Sequence, residues 1–171
     1  MSLSQRAYCG RFAPSPTGPL HFGSLVCALA SFLDARAHNG TWLIRIEDID
    51  PPRDVPGADQ AILKTLARLG MTSDIPVVRQ SQRYALYEEA LRRLSQQGLV
   101  YGCACSRKEI AAVQTELGLP SHVYPGICRN GTHGRPARSL RIRTSDEVVG
   151  FTDRRCGSFS ENLERDVGDF V

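Results

Sequence analysis

Three of the six cysteines lie close together, and their spacing is typical of metal ligands. Cys103 and Cys105 form a Cys-x-Cys pair, and Cys128 follows farther along the chain. Structural zinc takes four ligands in a tetrahedron, with thiolate sulfur at about 2.3 Å, so a fourth ligand is required. The nearby candidates for it are His122, Tyr124 and His133. General chemistry favours a histidine, because a phenol has a pKa of about 10. The alternative interpretation is three reduced cysteines without a metal.

Such a zinc site would be structural, because it would hold together a loop-rich segment that has little core of its own. The other three cysteines stand alone, and we expect them to be small core residues: Cys9, Cys27 and Cys156. The first residues of the chain have no apolar stretch of the secretory type, which favours thiols or metal ligands over disulfides.

A second candidate site is the Pro/Gly-rich turn that separates the first predicted strand from the first predicted helix, followed by His21. A helix that begins at the carboxyl end of a parallel strand directs free backbone N–H groups and a positive dipole at whatever lies above it. Gly18 and Gly23 allow a ligand to approach the backbone closely. Triphosphate suits such a corner, although the spacing fits neither a Walker loop nor a GxGxxG fingerprint. The alternative is that His21 has only a structural role at the helix start.

The third candidate site lies at the end of the next predicted strand and is formed by Arg45-Ile46-Glu47-Asp48 and the turn up to Arg53. Ligands bind at the carboxyl ends of parallel strands. A carboxylate there can hold an amino group, and Arg11 can pair with a ligand carboxylate. The alternative is an ordinary surface turn in which Glu47 or Asp48 forms an ion pair with Arg45 or Arg53.

The elements that must position these residues alternate between strand and helix. Strand formers occur at 6–12 and 41–46, with helical spacing from Ser24 between them, which predicts a βαβ unit and hence a parallel sheet. Further helices are predicted at 58–69 and 81–97, and strands at 75–79 and 99–101. After Gly102 the pattern changes. A capping box predicts the start of a helix that ends near Leu117, and short strands are predicted at 139–143, 148–153 and 168–171. We therefore predict two domains, 1–102 and 103–171.

Composition excludes few classes of function. The net charge of +3 is a weak indication of an anionic partner. The arginines between Arg129 and Arg143 fit either a solvated face or a phosphate-binding surface. We find no apolar run of about 18 residues, so we expect no membrane span and a cytoplasmic location.

The three motifs together resemble the class I aminoacyl-tRNA synthetases. His21-Phe22-Gly23-Ser24 resembles the "HIGH" motif of that class, with Ser24 in place of the second histidine. The preceding segment Arg11 to Gly18, and the segment Arg45 to Asp50, resemble the glutamate-specific branch. Pro51-Pro52-Arg53 and the Tyr-x-x-x-Cys spacing that ends at Cys128 are similar to the shorter glutamyl-Q tRNA(Asp) synthetases.

This resemblance implies a Rossmann-like parallel sheet, the first half of a class I catalytic domain, carrying a β-rich zinc-binding insertion. It implies ATP as substrate with Mg²⁺ and a structural Zn²⁺. The residues that it implies for catalysis are His21, Gly23 and Ser24. Those that it implies for glutamate binding are Arg11, Phe12, Ala13, Pro14, Ser15 and Glu47. The zinc ligands that it implies are Cys103, Cys105, Tyr124 and Cys128.

The implied reaction is ATP-dependent activation of glutamate, followed by transfer to the queuosine base of tRNA(Asp). We expect a monomer, and a chain that ends before the second half of the nucleotide-binding fold and its "KMSKS" loop. Two alternatives are a fragment of an ordinary glutamyl-tRNA synthetase and a non-catalytic, zinc-bearing module that binds nucleic acid.

Overall fold

The computed structural model describes residues 7–171, and these form two compact units that divide between Leu86 and Tyr87. The first six residues, which include the start of the first predicted strand, lie outside the described part. The division falls within a helix, α3 (Tyr84–Gln96). The domain boundary expected near Gly102, from the change in sequence pattern there, stays a prediction.

The first unit is a three-stranded parallel sheet with helices between its strands. Its elements are β1 (Cys9–Phe12), α1 (Phe22–Ala37), β2 (Thr41–Ile46), α2 (Ala58–Arg68) and β3 (Val78–Arg79), followed by a 3-10 turn at Gln80–Arg83. The strand order is β1-β2-β3, and both pairs are parallel. The predicted α/β class with a parallel sheet is therefore confirmed. Only the end of the strand predicted at 75–79 has strand pairing.

Strand β2 forms the centre of this unit. Its residues alternate, so Trp42, Ile44 and Ile46 are buried while their neighbours are partly exposed. The indole N–H of Trp42 donates to Ser31 Oγ on α1 at 2.9 Å. Helix α1 packs so closely on β1 that a Cβ at Gly10 would lie 2.9 Å from the Ser31 carbonyl oxygen. This close packing fixes the start of α1 relative to the end of β1.

An ion pair secures the segment between α2 and β3. The carboxylate of Asp74 accepts two hydrogen bonds from the Arg36 guanidinium, both at 2.7 Å, and one from the Trp42 backbone N–H, also at 2.7 Å. The Arg36 guanidinium is the main cause that lowers the pKa of Asp74 to about 2. The ionised carboxylate thus links α1, β2 and the loop that contains Asp74.

The second unit combines two antiparallel pairs with short helices. Its elements after α3 are β4 (Val100–Cys103), α4 (Arg107–Leu117), β5 (Ser139–Ile142), β6 (Val148–Asp153), β7 (Gly157–Asn162) and α5 (Leu163–Asp166). Strand β4 pairs with β5, and β6 pairs with β7. Helix α4 begins with the predicted capping box, in which Ser106 Oγ accepts from the Glu109 N–H and the Glu109 carboxylate accepts from the Ser106 N–H.

One sequence-based prediction in this unit is wrong, and one strand was missed. Residues 168–171 do not form a strand, because Gly168 makes only an isolated bridge to Tyr124 and has a left-handed φ of 74°. The Asp169 carboxylate then turns inward and accepts from the backbone N–H and hydroxyl of Thr144. Strand β7 was not predicted, since its residues are mostly polar and exposed, and pairing with β6 is what defines it.

None of the helices within residues 7–171 has the length and apolar content that crossing a bilayer requires.

Candidate active site and thiol cluster

The turn between β1 and α1 forms one wall of a cleft of about 350 Å³. Seven of the nine residues predicted for catalysis and glutamate binding line this cleft: Phe12, Ala13, Pro14, Ser15, His21, Gly23 and Ser24. The N-terminus of α1, with no acidic residue in its first turn, also lies here. A helix end of this kind attracts an anion, because its first N–H groups have no partners within the helix and its dipole is positive.

His21 is the N-cap of α1. Its Nδ1 accepts from the Ser24 backbone N–H at 3.2 Å, and its Nε2 lies 3.0 Å from Ser24 Oγ. An Nδ1 that accepts leaves the ring proton on Nε2, where it can donate to Ser24 Oγ or, in exchange, to a bound anion. His21 thus has the structural role that was considered for it, as the cap of α1. The same contacts hold its imidazole where it lines the cleft. Ser24 directly contacts this imidazole.

Arg11 and Glu47 are the two predicted glutamate-binding residues that do not line the cleft. Glu47 lies beside it, because its backbone N–H donates to the Pro14 carbonyl at 2.9 Å. Its carboxylate accepts from the Arg45 guanidinium at 2.5 Å, which is the ion pair considered as the alternative. Arg11 is exposed on β1 opposite Leu43 of β2. Glu47 therefore lies next to the cleft just after β2, whereas Arg11 is on the neighbouring strand β1, one residue before Phe12, which lines the cleft.

Sequence reasoning missed one residue of this cleft, Cys27, which was expected in the core. It is exposed and lines the cleft one helical turn after Gly23. The i, i+4 spacing of α1 places both residues on the same face, and this spacing was the available signal. The expectation is also wrong for Cys9 and Cys156, which are exposed as well.

The second unit brings the three predicted cysteine ligands together. The Sγ atoms of Cys103, Cys105 and Cys128 all lie within 4.8 Å of one another, and the sulfurs of Cys105 and Cys128 are 3.4 Å apart. Cys103 ends β4, Cys105 precedes the N-cap of α4, and Cys128 lies in the loop before β5. Backbone pairing and capping thus position these cysteines from three separate segments.

The phenol of Tyr124 completes the cluster. Its Oη lies 3.4 Å from Cys103 Sγ and 3.7 Å from Cys105 Sγ, and it accepts from the Cys128 backbone N–H at 3.0 Å. Tyr124 is buried, whereas both neighbouring histidines, His122 and His133, are exposed. The geometry thus favours Tyr124 over either histidine as the fourth donor.

The spacing of these four atoms fits a tetrahedral zinc ion. Bonds of about 2.3 Å to sulfur and about 2.0 Å to oxygen separate two sulfurs by about 3.8 Å, and a sulfur from an oxygen by about 3.5 Å. Burial alone would raise the pKa of Cys103, but the neighbouring Tyr124 hydroxyl and Arg141 guanidinium outweigh it and lower this pKa to about 6. Burial and the neighbouring thiols raise the pKa of Cys105. A divalent cation among these donors would stabilise the thiolate form of both.

Four of the five arginines from Arg129 to Arg143 make side-chain contacts within the second unit. Arg129 pairs with Glu164, and Arg135 pairs with Glu109. The guanidinium of Arg143 donates to the Arg129 carbonyl. Arg141 is buried over the ring of Tyr124. Most of these guanidinium groups therefore already have partners within the second unit.

Comparisons with known proteins identify the family of this chain. Residues 9–130 match the catalytic domain of the tRNA synthetases class I (E and Q). A relative from Burkholderia cenocepacia, named glutamyl-Q tRNA(Asp) synthetase, is 59% identical over 170 residues, which are 96% of this chain and 57% of the relative. A relative of the same name from Pseudomonas putida is 50% identical over 169 residues, covering 99% of this chain and 55% of the relative.

A solved structure has the same fold. It is a glutamate tRNA ligase from Elizabethkingia meningosepticum in complex with its amino acid, with a TM-score of 0.79 and 25% identity over 97% of this chain and 38% of that protein. The chain spans about half the length of the curated relatives it matches. It belongs to the class I tRNA synthetase family of the glutamate and glutamine type, within the catalytic domain of that family.

Proposed function

We propose that this chain is part of an enzyme that activates glutamate with ATP and Mg²⁺ and transfers it to the queuosine base of tRNA(Asp). The observation that carries the proposal is the cleft at the start of α1, in which His21, Gly23 and Ser24 lie beside the glutamate-binding candidates of β1 and its turn. The relatives named glutamyl-Q tRNA(Asp) synthetase support the acceptor assignment.

In this proposal the residues of the cleft act by position and charge. The Nε2–H of His21 and the free N–H groups of α1 would meet the negative charge that develops on the α-phosphate as the adenylate forms. Arg11 would bind a glutamate carboxylate, and Glu47 would bind the amino group. For this, one Glu47 carboxylate oxygen would turn from the Arg45 guanidinium to the amino group. Phe12, Ala13, Pro14 and Ser15 would form the frame of the amino acid pocket.

The zinc part of the proposal rests on the fit of the four donors to the metal. Cys103, Cys105, Tyr124 and Cys128 supply three sulfurs and one oxygen at distances that suit tetrahedral Zn²⁺. A closed set of four protein ligands leaves no open position, so the ion would stabilise the fold and would not contact substrate. We also propose that residues 103–171, which contain these four ligands, are an insertion in the synthetase catalytic domain.

The test is glutamate-dependent exchange of pyrophosphate into ATP by the full-length enzyme. We expect His21→Ala to lower the exchange rate about 100- to 1,000-fold, as the loss of one donor to a developing charge does. His38→Ala is the matched control, because His38 is exposed at the other end of α1. Glu47→Ala should raise the KM for glutamate. Wild-type rates in both site variants would refute the assignment.

A second function, that of an ordinary glutamyl-tRNA synthetase, is supported by the fold of the glutamate tRNA ligases. Transfer assays with tRNA(Asp) that contains or lacks queuosine, and with tRNA(Glu), separate the two. Glutamate transfer only to queuosine-containing tRNA(Asp) supports our proposal, and charging of tRNA(Glu) supports the second. Zinc binding without any exchange activity would favour the non-catalytic module.

A further inference from the structure

Arg141 is a buried cation that has no carboxylate partner within residues 7–171. Its exposed fraction is 9%. One guanidinium nitrogen, Nη1, donates to the Asp169 backbone carbonyl at 2.8 Å, while Nε is buried without a hydrogen bond partner. A buried charge is costly unless an opposite charge or several hydrogen bonds compensate for it. The position of Arg141 therefore requires an explanation.

The other charged side chains near Arg141 already have partners of their own. The Asp169 carboxylate accepts from Thr144 twice and from the Tyr101 hydroxyl, and it lies 3.4 Å from Arg129 Nε. Arg129 also pairs with Glu164, and Arg135 pairs with Glu109. Unlike Arg129 and Arg135, Arg141 thus has no carboxylate partner among the described residues.

The guanidinium of Arg141 stacks on a proposed metal ligand. Its Cζ lies 3.6 Å from the ring centroid of Tyr124, which is direct contact between the guanidinium plane and the ring face. The opposite end of the same ring carries the Oη that lies among the cysteine sulfurs. The contact fixes the plane of the ring and, with it, the position of the oxygen.

The charge of a filled site supplies the missing partner. Three thiolates and one phenolate carry four negative charges, and Zn²⁺ carries two positive charges, so the buried centre would have a net charge of −2. In a buried environment such a charge requires compensation nearby. Arg141 is a permanent cation at that place.

We propose that Arg141 is a positioning residue of the zinc site, which orients the phenol of Tyr124 and balances the negative charge of the metal-bound ligand set. The inference rests on the zinc site proposed above. If this inference is correct, the free energy of zinc binding depends on Arg141, although this side chain is not a ligand. Residues that contact and orient metal ligands usually have such an effect on metal affinity.

The test measures zinc affinity by chelator competition on the full-length protein, with Arg141→Met as the test variant. We expect a loss of affinity of about 10- to 100-fold. Arg143→Met is the matched control, because Arg143 also lies over a tyrosine ring, that of Tyr101, at 5.1 Å. Tyr101 packs against the thiol cluster but is not one of the proposed ligands, so Arg143→Met should bind zinc like the wild type.

A second measurement reports on the phenol itself. Zinc addition to the wild type should produce the near-ultraviolet difference band of a tyrosinate, and Arg141→Met should weaken or shift this band. Arg141→Lys keeps the charge but loses the planar stack, so it should restore part of the affinity, and it serves as the test variant if Arg141→Met does not fold.

The outcomes separate the two proposals. A wild-type protein that binds no zinc refutes the zinc site itself. A wild type that binds zinc with a tyrosinate band, together with an Arg141→Met variant of equal affinity and equal band, refutes the role of Arg141 and leaves the zinc site intact.

Discussion

The most direct test of the thiol cluster is Tyr124→Phe, which removes one oxygen and keeps the ring. In the metal-free protein this change leaves the buried Cys128 N–H without its acceptor at 3.0 Å. An unsatisfied buried donor costs about 1–3 kcal/mol, so we expect the metal-free variant to lose about that much stability. The stack of Arg141 on the ring persists, since phenylalanine keeps the face that the guanidinium contacts.

The larger effect is expected on the metal. Structural zinc sites bind with about 10–16 kcal/mol in total, so an equal share for one of four ligands is roughly 3 kcal/mol. This corresponds to an affinity about 100-fold lower. Since zinc binds the folded state, the same loss appears as a lower stability at a fixed concentration of free zinc.

The assay is zinc affinity by chelator competition, with stoichiometry from elemental analysis. The control variants are His122→Ala and His133→Ala, which remove the two exposed histidines that the sequence left as possible ligands. We expect both controls to bind one zinc with wild-type affinity. A large loss in either histidine variant, together with normal binding by Tyr124→Phe, would refute the assignment of Tyr124.

Two further changes test the framework around the sites. Asp74→Asn should lower stability at neutral pH. The pKa of Asp74 is lowered to about 2, so its contribution is present above the ordinary pKa near 4 and disappears as the pH falls towards 2. Urea titrations followed by the single tryptophan, Trp42, should show the difference from the wild type vanish over that range; a difference that persists there would contradict the ion pair. Gly168→Ala should cost roughly 2–4 kcal/mol and weaken zinc binding, because a Cβ would lie 2.6 Å from the Tyr124 nitrogen at a left-handed φ. The control is Gly157→Ala, which has a φ of 85° but nothing within 4 Å, so it should cost only about 1–2 kcal/mol and leave zinc binding unchanged; equal effects of the two changes would show that the contact with Tyr124 is unimportant.

The parallel sheet of the first unit was predictable because its local signals agree. Residues 41–46 are strand formers bounded by a turn, and the apolar positions after Ser24 follow helical spacing, so periodicity indicated each element and its face. The bounds of β2 and the capping box of α4 match the predictions. Short-range patterns of this kind depend on residues within one turn or one strand.

The second unit was harder to predict because distant residues determine its structure. The inward turn of Asp169 depends on Thr144, and β7 exists by pairing with β6. Neither relation leaves a periodic pattern in the sequence. The arginines from Arg129 to Arg143 suggested a shared surface, yet their partners Glu109 and Glu164 lie outside that stretch. A count of charges therefore could not reveal that Arg129 and Arg135 are already paired with carboxylates.

The two units also differ in what forms their cores, and this determines what loss of metal would do. Among the described residues, the first core has nine that are buried, including Trp42, Ile62 and Leu66, and its stability comes from apolar burial. The second core has four buried residues: Cys103, Ala104, Tyr124 and Cys128. Three of these four are proposed zinc ligands, and the fourth lies between Cys103 and Cys105 in the chain. In the second unit the metal site and the core therefore share most of their side chains, so we expect removal of zinc to loosen this unit, because only partly buried side chains such as Ile110 and Ile127 would remain to pack residues 103–128 together.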